Sequence, residues 1–166
     1  MAKQKAPLET PSDDDQPIVV CRNRRAAHEY EILDQLECGI QLVGSEVKSI
    51  RNGKVSIEEA FVRMKDGEVW LFQCDIAEYK QASYHNHEAK RVRKLLVRKR
   101  ELAKFISRAD EKGLTMVPLS LYFRRGFVKV LVALAKGKKL HDKRESIKQR
   151  DAEREMRQRT MKRVGP

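Results

Sequence analysis

The stretch TMVPLSLYFRRGFVKVLVAL, residues 115–134, decides the fold of this chain. It contains two runs rich in β-branched and aromatic residues, which flank Arg124-Arg125-Gly126. This arrangement predicts a β-hairpin. Strict alternation in the second run places Val128, Val130 and Val132 on one face of the strand, and Phe127, Lys129 and Leu131 on the other.

A second hairpin is predicted further upstream. Phe61–Met64 and Val69–Phe72 flank the sequence KDGE at 65–68, and Asp-Gly between alternating runs is a strong hairpin signal. Shorter β-rich runs occur at 18–20, 30–36 and 39–44. Five or six short strands with small helices between them predict a mainly β domain, either a compact barrel or a sandwich.

Three segments have helical signals. Ser45–Asn52 is predicted as a short helix capped by Ser45 and stopped by Gly53. Ser56 to Glu59 fits a capping box for another short turn. From Ala89 to Ala109 the apolar period turns helical, with one face marked by Leu95, Leu102, Phe105 and Ile106.

Charge divides the chain into three parts. The net charge of +12 over 166 residues comes mostly from residues 17–135 and 136–166, while 1–16 is acidic. We expect a disordered leader at 1–16, a folded domain at 17–135 and a basic tail at 136–166 that is disordered when free and helical on a polyanion. Because both the body and the tail are basic, nucleic acid is the leading candidate partner.

A membrane surface is the rival partner for a basic chain. The tail lacks the apolar face that an interfacial helix needs, and no apolar run approaches the length of a membrane span. The three cysteines, Cys21, Cys38 and Cys74, are odd in number and have no CxxC spacing, which suits a reducing cytosol. We therefore expect a cytoplasmic protein without a membrane partner.

No catalytic motif is present in the sequence. His85 and His87 have a spacing that could hold a metal, but no further ligands accompany them, and exposed loop histidines are the simpler interpretation. Glu58-Glu59 is better explained by helix capping than by acid–base catalysis. The sequence thus predicts a chain that is not an enzyme and has no metal or cofactor; an enzyme using the two histidines is a distant alternative.

Three stretches are candidates for binding RNA. NRRAAHEY at 23–30 is basic and polar, although a solvated arm would look the same. RVRKLLVRKR at 91–100 carries six cations around an apolar stripe and could follow a phosphate backbone, or simply form a solvated helix face. The third runs from Lys129 into the basic residues at 136–144.

The chain resembles the SmpB family of SsrA-binding proteins, which partner transfer-messenger RNA in bacterial trans-translation. The resemblance covers about residues 18–163. It rests on six blocks in the order of the family: NRRAAHEY (23–30), GIQLVGSEVKSIRNGKVSI (39–57), DGEVWLF (66–72), RVRKLLVRKREL (91–102), GLTMVPLSLYFRRGFVKV (113–130) and AKGKKLHDKR (135–144).

The resemblance implies an OB-fold-like small β-barrel with one or two inserted helices. It also implies that the body clasps the tRNA-like domain of transfer-messenger RNA. The residues expected to do so are Asn23, Arg24, His28, Glu37, Arg93, Lys94, Leu96, Arg98 and Lys129. In this set Glu37 would accept hydrogen bonds from base amino or 2′-hydroxyl groups. Leu96 would touch an unstacked base, and Lys129 would bind a phosphate. Many relatives carry Asn where this chain has Arg98, so a base-specific contact there is in doubt.

For the tail, the resemblance implies a role on the ribosome. Residues expected at the decoding centre are Gly137, Lys138, Lys139, His141, Asp142, Lys143 and Arg144, and residues 145–163 would form a helix along the empty mRNA channel. In this picture the protein is an adaptor for ribosome rescue. Alanyl-tRNA synthetase and elongation factor Tu would act through the transfer-messenger RNA. The alternative is a generic OB-type ribosomal or RNA-chaperone protein with a nonspecific basic anchor.

Overall fold

The structure is a computed structural model that describes residues 16–80, 82, 86–109, 113–138 and 156. Nine strands and three helices follow one another along the described residues. They are β1 Ile18–Arg22, α1 Arg24–Glu29, β2 Tyr30–Ile40, α2 Gly44–Arg51, β3 Val55–Ser56, β4 Phe61–Lys65, β5 Glu68–Phe72, β6 Asp75–Ile76, β7 Arg93–Leu96, α3 Lys99–Ala109, β8 Leu114–Arg124 and β9 Phe127–Gly137.

Seven of these strands form one antiparallel sheet in the order β1-β8-β4-β5-β7-β2-β9, and β9 pairs with β8 as well as with β2. This extra pairing closes β8, β4, β5, β7, β2 and β9 into a ring, while β1 lies outside it on β8. The predicted mainly β barrel is confirmed. Strands β3 and β6 form a separate two-stranded sheet.

Both predicted hairpins are confirmed. Asp66-Gly67 connects β4 to β5, and Arg125-Gly126 connects β8 to β9. All four residues have positive φ, at 54°, 73°, 50° and 77°. Two consecutive left-handed residues make a turn whose twist matches that of the flanking strands. As a consequence Arg124 belongs to β8, and it pairs with Phe127.

The core fills the inside of the barrel. On β9, Val128, Val130 and Val132 are buried, whereas Phe127, Lys129 and Leu131 are not. The alternation in the sequence therefore separates the core face of this strand from its outer face. The same core includes Leu71 on β5, Leu95 on β7 and Leu121 on β8.

The helix predicted at Ser45–Asn52 is confirmed with one correction. It begins at Gly44, so Ser45 is not its cap. Instead Glu46 accepts a hydrogen bond from the Val43 backbone N–H at 2.8 Å, which satisfies an otherwise unpaired donor at the helix start. At Ser56–Glu59 the predicted turn is present without a helix: the Ala60 N–H donates to the Ile57 carbonyl at 3.3 Å, and Ser56 ends strand β3 where a helix cap was predicted.

The helix predicted from Ala89 to Ala109 is wrong in its first half. Residues 93–96 form strand β7, which lies between β5 and β2, and α3 begins only at Lys99. Buried Leu95 pairs with Ile40 on one side and with Val69 on the other. These partners lie more than twenty residues away in sequence, and cross-strand packing overrides a local helical period.

The sheet extends two residues past the predicted end of the folded domain at 135, since Gly137 pairs with Tyr30. The acidic leader up to residue 15, and the tail from 139 on apart from Met156, lie outside the described residues. Their predicted disorder, helicity and boundaries stay predictions. Within the described part of the chain, no helix combines the length and apolarity needed to cross a membrane.

Candidate nucleic-acid interface

A carboxylate surrounded by cations marks one end of the β2–β9 ladder. Glu37 on β2 accepts a hydrogen bond from the Tyr122 hydroxyl at 2.5 Å and one from the Arg124 guanidinium at 3.1 Å. The Lys129 ammonium lies 3.7 Å from its other oxygen. All three partners project from the β8–β9 hairpin, and Tyr122 and Lys129 are direct cross-strand partners. The cluster carries a net charge of about +1 at neutral pH.

The electrostatics of Glu37 favour its ionised form. Partial burial alone would raise its pKa, but the hydrogen bonds from Tyr122 and Arg124 and the charges of Arg124 and Lys129 outweigh this and lower it. Burial and the hydrogen bond to Glu37 raise the pKa of Tyr122, so its hydroxyl stays a donor. An ionised Glu37 accepts only, and it holds two cations at the surface in fixed places.

Glu37, Arg124 and Lys129 of this cluster form one wall of an open groove of about 560 Å³. Leu96, Val97, Arg98 and Glu101 line the opposite side, and Gly39 lies between the two walls. Leu96 is 52% exposed and gives this groove an apolar surface. Gly39 allows the close approach, because a Cβ at this position would lie 3.3 Å from the Cβ of Leu96.

Four of the predicted RNA-binding residues therefore meet in this groove: Glu37, Leu96, Arg98 and Lys129. They come from β2, β7, the segment before α3, and β9. The Arg98 side chain is 88% exposed and lies 3.9 Å from Glu101, a pair too exposed to fix it firmly. We call the groove lined by these four residues and Arg124 the Glu37 groove; Tyr122 lies behind it and bonds to Glu37.

The sequence analysis missed Tyr122 and Arg124. Both could have been found from the two-residue turn at Arg125-Gly126, because counting outwards from it pairs Arg124 with Phe127 and Tyr122 with Lys129. The hairpin thus presents two cations and a phenol on neighbouring positions. What the sequence did not show is that Glu37 lies beside this hairpin. Its strand, β2, pairs with β9, and the paired residues are far apart in sequence.

Arg24 and His28 lie elsewhere. They are exposed residues of α1, which precedes β2, whereas Glu37 lies seven residues into the strand after Tyr30. At a rise of about 3.4 Å per residue, Tyr30 and Glu37 are roughly 24 Å apart. Any RNA that contacts both α1 and the Glu37 groove must therefore span the length of the ladder.

The amide of Asn23 is engaged within the protein. Its oxygen accepts from the Ala26 N–H at 2.9 Å and so caps α1, and its nitrogen donates to the Ile57 carbonyl at 3.1 Å. With 7% of its surface exposed, Asn23 ties α1 to the loop after β3. This geometry suits a residue that positions α1 more than one that contacts RNA directly.

The expectation that Arg93 contacts RNA is corrected by its burial. Its side chain is 0% exposed, and the guanidinium donates to Glu46 at 2.9 Å and to the carbonyls of Cys74, Arg91 and Ala89 at 2.6, 2.9 and 2.9 Å. These bonds use four of the five N–H donors, and a guanidinium that is fully buried is out of reach of a phosphate. Lys94, the next residue, is half-buried and pairs with Glu68 on the neighbouring strand.

The start of the tail is attached to α1. The Lys138 backbone N–H donates to the Glu29 carbonyl at 2.9 Å, and its ammonium donates to the Ala27 carbonyl at 3.2 Å. Gly137 pairs with Tyr30 and ends β9. Of the seven residues expected at the decoding centre, these two are described, while Lys139, His141, Asp142, Lys143 and Arg144 lie outside the described residues.

The sequence suggested that His87 is an exposed loop residue, but the structure shows that it is buried. It is 7% exposed, and its ring nitrogens lie 2.9 Å from the Ser45 hydroxyl and 3.1 Å from the Ile76 carbonyl. The carbonyl can only accept, so Nε2 carries the proton. His85 lies outside the described residues, and among those that are described no three metal-ligating side chains come together.

The cysteines do not form a nucleophilic site. Cys21, Cys38 and Cys74 carry free thiols, and burial raises the pKa of Cys21 to about 11 and those of Cys38 and Cys74 to about 12. Such thiols stay protonated at neutral pH, and a protonated thiol is a poor nucleophile.

The chain is similar to several SsrA-binding proteins. An SsrA-binding protein of Nostoc sp. is 52% identical over 145 residues, which is 87% of this chain and 93% of the relative. One of Rhodopirellula baltica is 54% identical over 145 residues, 87% of this chain and 82% of the relative. One of Mycobacterium sp. is 49% identical over 156 residues, 94% and 93% of the two chains.

A solved structure is similar as well. It is described as "tmRNA-SmpB: a journey to the center of the bacterial ribosome", and it matches with a TM-score of 0.62 and 48% identity over 76% of this chain and 93% of that chain. The family model described as SmpB protein matches residues 20–163. By fold, sequence and extent of the match, the chain belongs to the SmpB protein family.

Proposed function

We propose that this protein is an RNA-binding adaptor of trans-translation. It binds the tRNA-like domain of transfer-messenger RNA, brings it to the A site of stalled ribosomes and so enables rescue and tagging of the nascent peptide. The observation that carries this proposal is the convergence of Glu37, Leu96, Arg98 and Lys129 in one groove, in a chain about half identical to SsrA-binding proteins. Because the protein would act on the ribosome, we place it in the cytoplasm.

The Glu37 groove has the chemistry that structured RNA requires. Lys129 and Arg124 supply cations for phosphates, and Arg98 adds a third at the opposite wall. Leu96 gives an apolar surface for a base that is not stacked in a helix. Glu37 fixes the two cations of the hairpin, and its unused acceptor capacity is available to a base amino group or a 2′-hydroxyl.

The second part of the proposal concerns the tail. Residues 139–144 would enter the decoding centre, with His141 stacking on an exposed base, Asp142 setting local geometry, and Lys143 and Arg144 holding rRNA phosphates. Residues 145–163 would form a helix in the empty mRNA channel. Support comes from charge, since the segment 136–166 is strongly basic, and from the attachment of Lys138 to α1, which gives the tail a fixed point of departure.

The chemistry of rescue would belong to partners. Alanyl-tRNA synthetase would charge the transfer-messenger RNA, elongation factor Tu would escort it, and the ribosome would transfer the peptide. The adaptor itself would act by binding, without a metal or a cofactor. The high pKa values of the described thiols and the buried, hydrogen-bonded state of His87 favour this view over catalysis.

Truncation separates the two parts of the proposal. The cut belongs after Lys138, because Gly137 pairs within the sheet and Lys138 bonds to α1. The 1–138 chain should bind the isolated tRNA-like domain with nearly full affinity, and it should fail to support peptide tagging on stalled ribosomes in a reconstituted system. Loss of RNA binding on truncation would instead identify the tail as a nonspecific anchor and contradict the adaptor proposal.

A further inference from the structure

A second groove lies beside the Glu37 groove and shares its wall. It has a volume of about 390 Å³, and Gly39, Leu96 and Lys129 line both grooves. Its remaining walls are largely apolar and include Leu42, Val47 and Phe127. The polar and the apolar groove therefore adjoin at Gly39, with its cross-strand partners Leu96 on β7 and Lys129 on β9 on either side.

The most exposed part of this second groove is Phe127. It is 72% exposed at the first position of β9, immediately after the Arg125-Gly126 turn. Leu96, which lines both grooves, is 52% exposed, and Val43, which follows the groove residue Leu42, is 51% exposed. Scattered apolar side chains on a surface need no explanation, but these three line or adjoin one groove.

From this continuity we infer that the apolar groove binds an unstacked base of the same RNA whose phosphates contact the Glu37 groove, and that Phe127 is the stacking surface. The inference rests on the proposed function and adds Phe127 as a contact residue. The neighbourhood favours RNA over a protein partner, because Lys129 forms part of the groove wall and Arg124 and Arg125 precede Phe127 in the chain. Cations beside an aromatic face are the arrangement that holds a phosphate and its base together.

Salt dependence separates a stacking residue from a phosphate contact. Each phosphate contact contributes to the slope of log affinity against log salt concentration, whereas stacking on an uncharged ring does not. Phe127→Ala should therefore weaken binding of the tRNA-like domain about 5- to 150-fold and leave the salt slope unchanged. Phe127→Trp should restore the affinity, since stacking needs only an aromatic face.

The matched control is Ile18→Ala. Ile18 is 71% exposed, nearly as much as Phe127, and lies on β1 outside the barrel ring. Filter binding of the full-length chain to the tRNA-like domain should show no loss for this variant. Light scattering should show the same oligomeric state for the three variants as for the unmodified chain.

Several results would overturn the inference. If Phe127→Ala binds the RNA as tightly as Ile18→Ala does, or changes the salt slope as a phosphate contact would, the stacking role is removed. A change of oligomeric state confined to Phe127→Ala, with RNA affinity intact, would assign the groove to a second copy of the chain. Failure of the unmodified chain to bind the tRNA-like domain would contradict the proposed function itself, which is a distinguishable outcome.

Discussion

Two carboxylates in this protein each hold two cations, and they differ in burial. Glu46 is 0% exposed; it accepts from Arg91 at 2.7 and 3.0 Å, from Arg93 at 2.9 Å and from the Val43 N–H at 2.8 Å. Glu37 is 35% exposed and faces an open groove with its cations beside it. The same chemical arrangement serves stability where it is enclosed and remains available to a ligand where it is open.

The comparison also explains which cations can serve an RNA. Each of the three guanidinium nitrogens of buried Arg93 is hydrogen-bonded within the protein, and each buried side-chain nitrogen or oxygen among the described residues has a hydrogen-bond partner. Lys129 keeps about a third of its side chain exposed. An ammonium has three donors, so Lys129 can bind a phosphate while it remains near Glu37.

The largest expected effect comes from breaking the buried cluster. Glu46→Gln leaves the buried Arg93 and the half-buried Arg91 without a counter-charge, and we expect a loss of about 3–5 kcal/mol in the free energy of unfolding. Urea denaturation followed by circular dichroism measures this. The control is Glu59→Gln, which removes an exposed pair with Lys90 at 3.8 Å and should change the free energy by at most about 1 kcal/mol. Equal effects of the two variants would show that burial does not separate them.

Acidification sharpens the same contrast. Burial alone would raise the pKa of Glu46, but hydrogen bonds from Arg91 and the Val43 N–H, with the charge of Arg93, lower it below the ordinary value of 4.5. A carboxylate with a lowered pKa in the folded state contributes stability above its unfolded pKa, and this contribution is lost as pH falls through the folded value. Urea midpoints of the unmodified chain should therefore fall below about pH 4.5 more steeply than those of Glu46→Gln. Parallel pH curves would contradict this assignment.

A smaller effect is expected in the open cluster. Lys129→Ala should weaken binding of the tRNA-like domain and reduce the salt slope by about 0.7–0.9, the contribution of one phosphate contact. The matched control is Lys65→Ala, an exposed lysine that ends β4 at the other hairpin. The slope is measured by filter binding at salt concentrations from about 50 mM to about 300 mM. An unchanged slope for Lys129→Ala would remove it from the interface.

Local patterns predicted those parts of the fold that depend on neighbours in sequence. The Asp66-Gly67 and Arg125-Gly126 turns and the alternation of β9 needed no distant partner. The missed elements needed one: β7 is a strand because Leu95 packs between β5 and β2, and Arg93 is buried because Glu46, 47 residues earlier, neutralises it. A cation in a basic run looks the same in sequence whether it faces RNA or a buried glutamate.

The candidate site shows the same limit. The family resemblance supplied Glu37, Leu96, Arg98 and Lys129, and the barrel brings them together. It did not reveal that Arg24 and His28 lie at the far end of the ladder, or that Tyr122 and Arg124 hold Glu37. These relations follow from the register of β2 with β9, which no local pattern encodes.

The open carboxylate cluster serves binding and not stability. Glu37→Ala tests this when it is measured both for affinity to the tRNA-like domain and for its urea midpoint. We expect about ten-fold weaker binding, because Lys129 and Arg124 lose the group that places them, with a midpoint close to that of the unmodified chain. Unchanged affinity, or a loss of binding that accompanies a large fall in the midpoint, would contradict it.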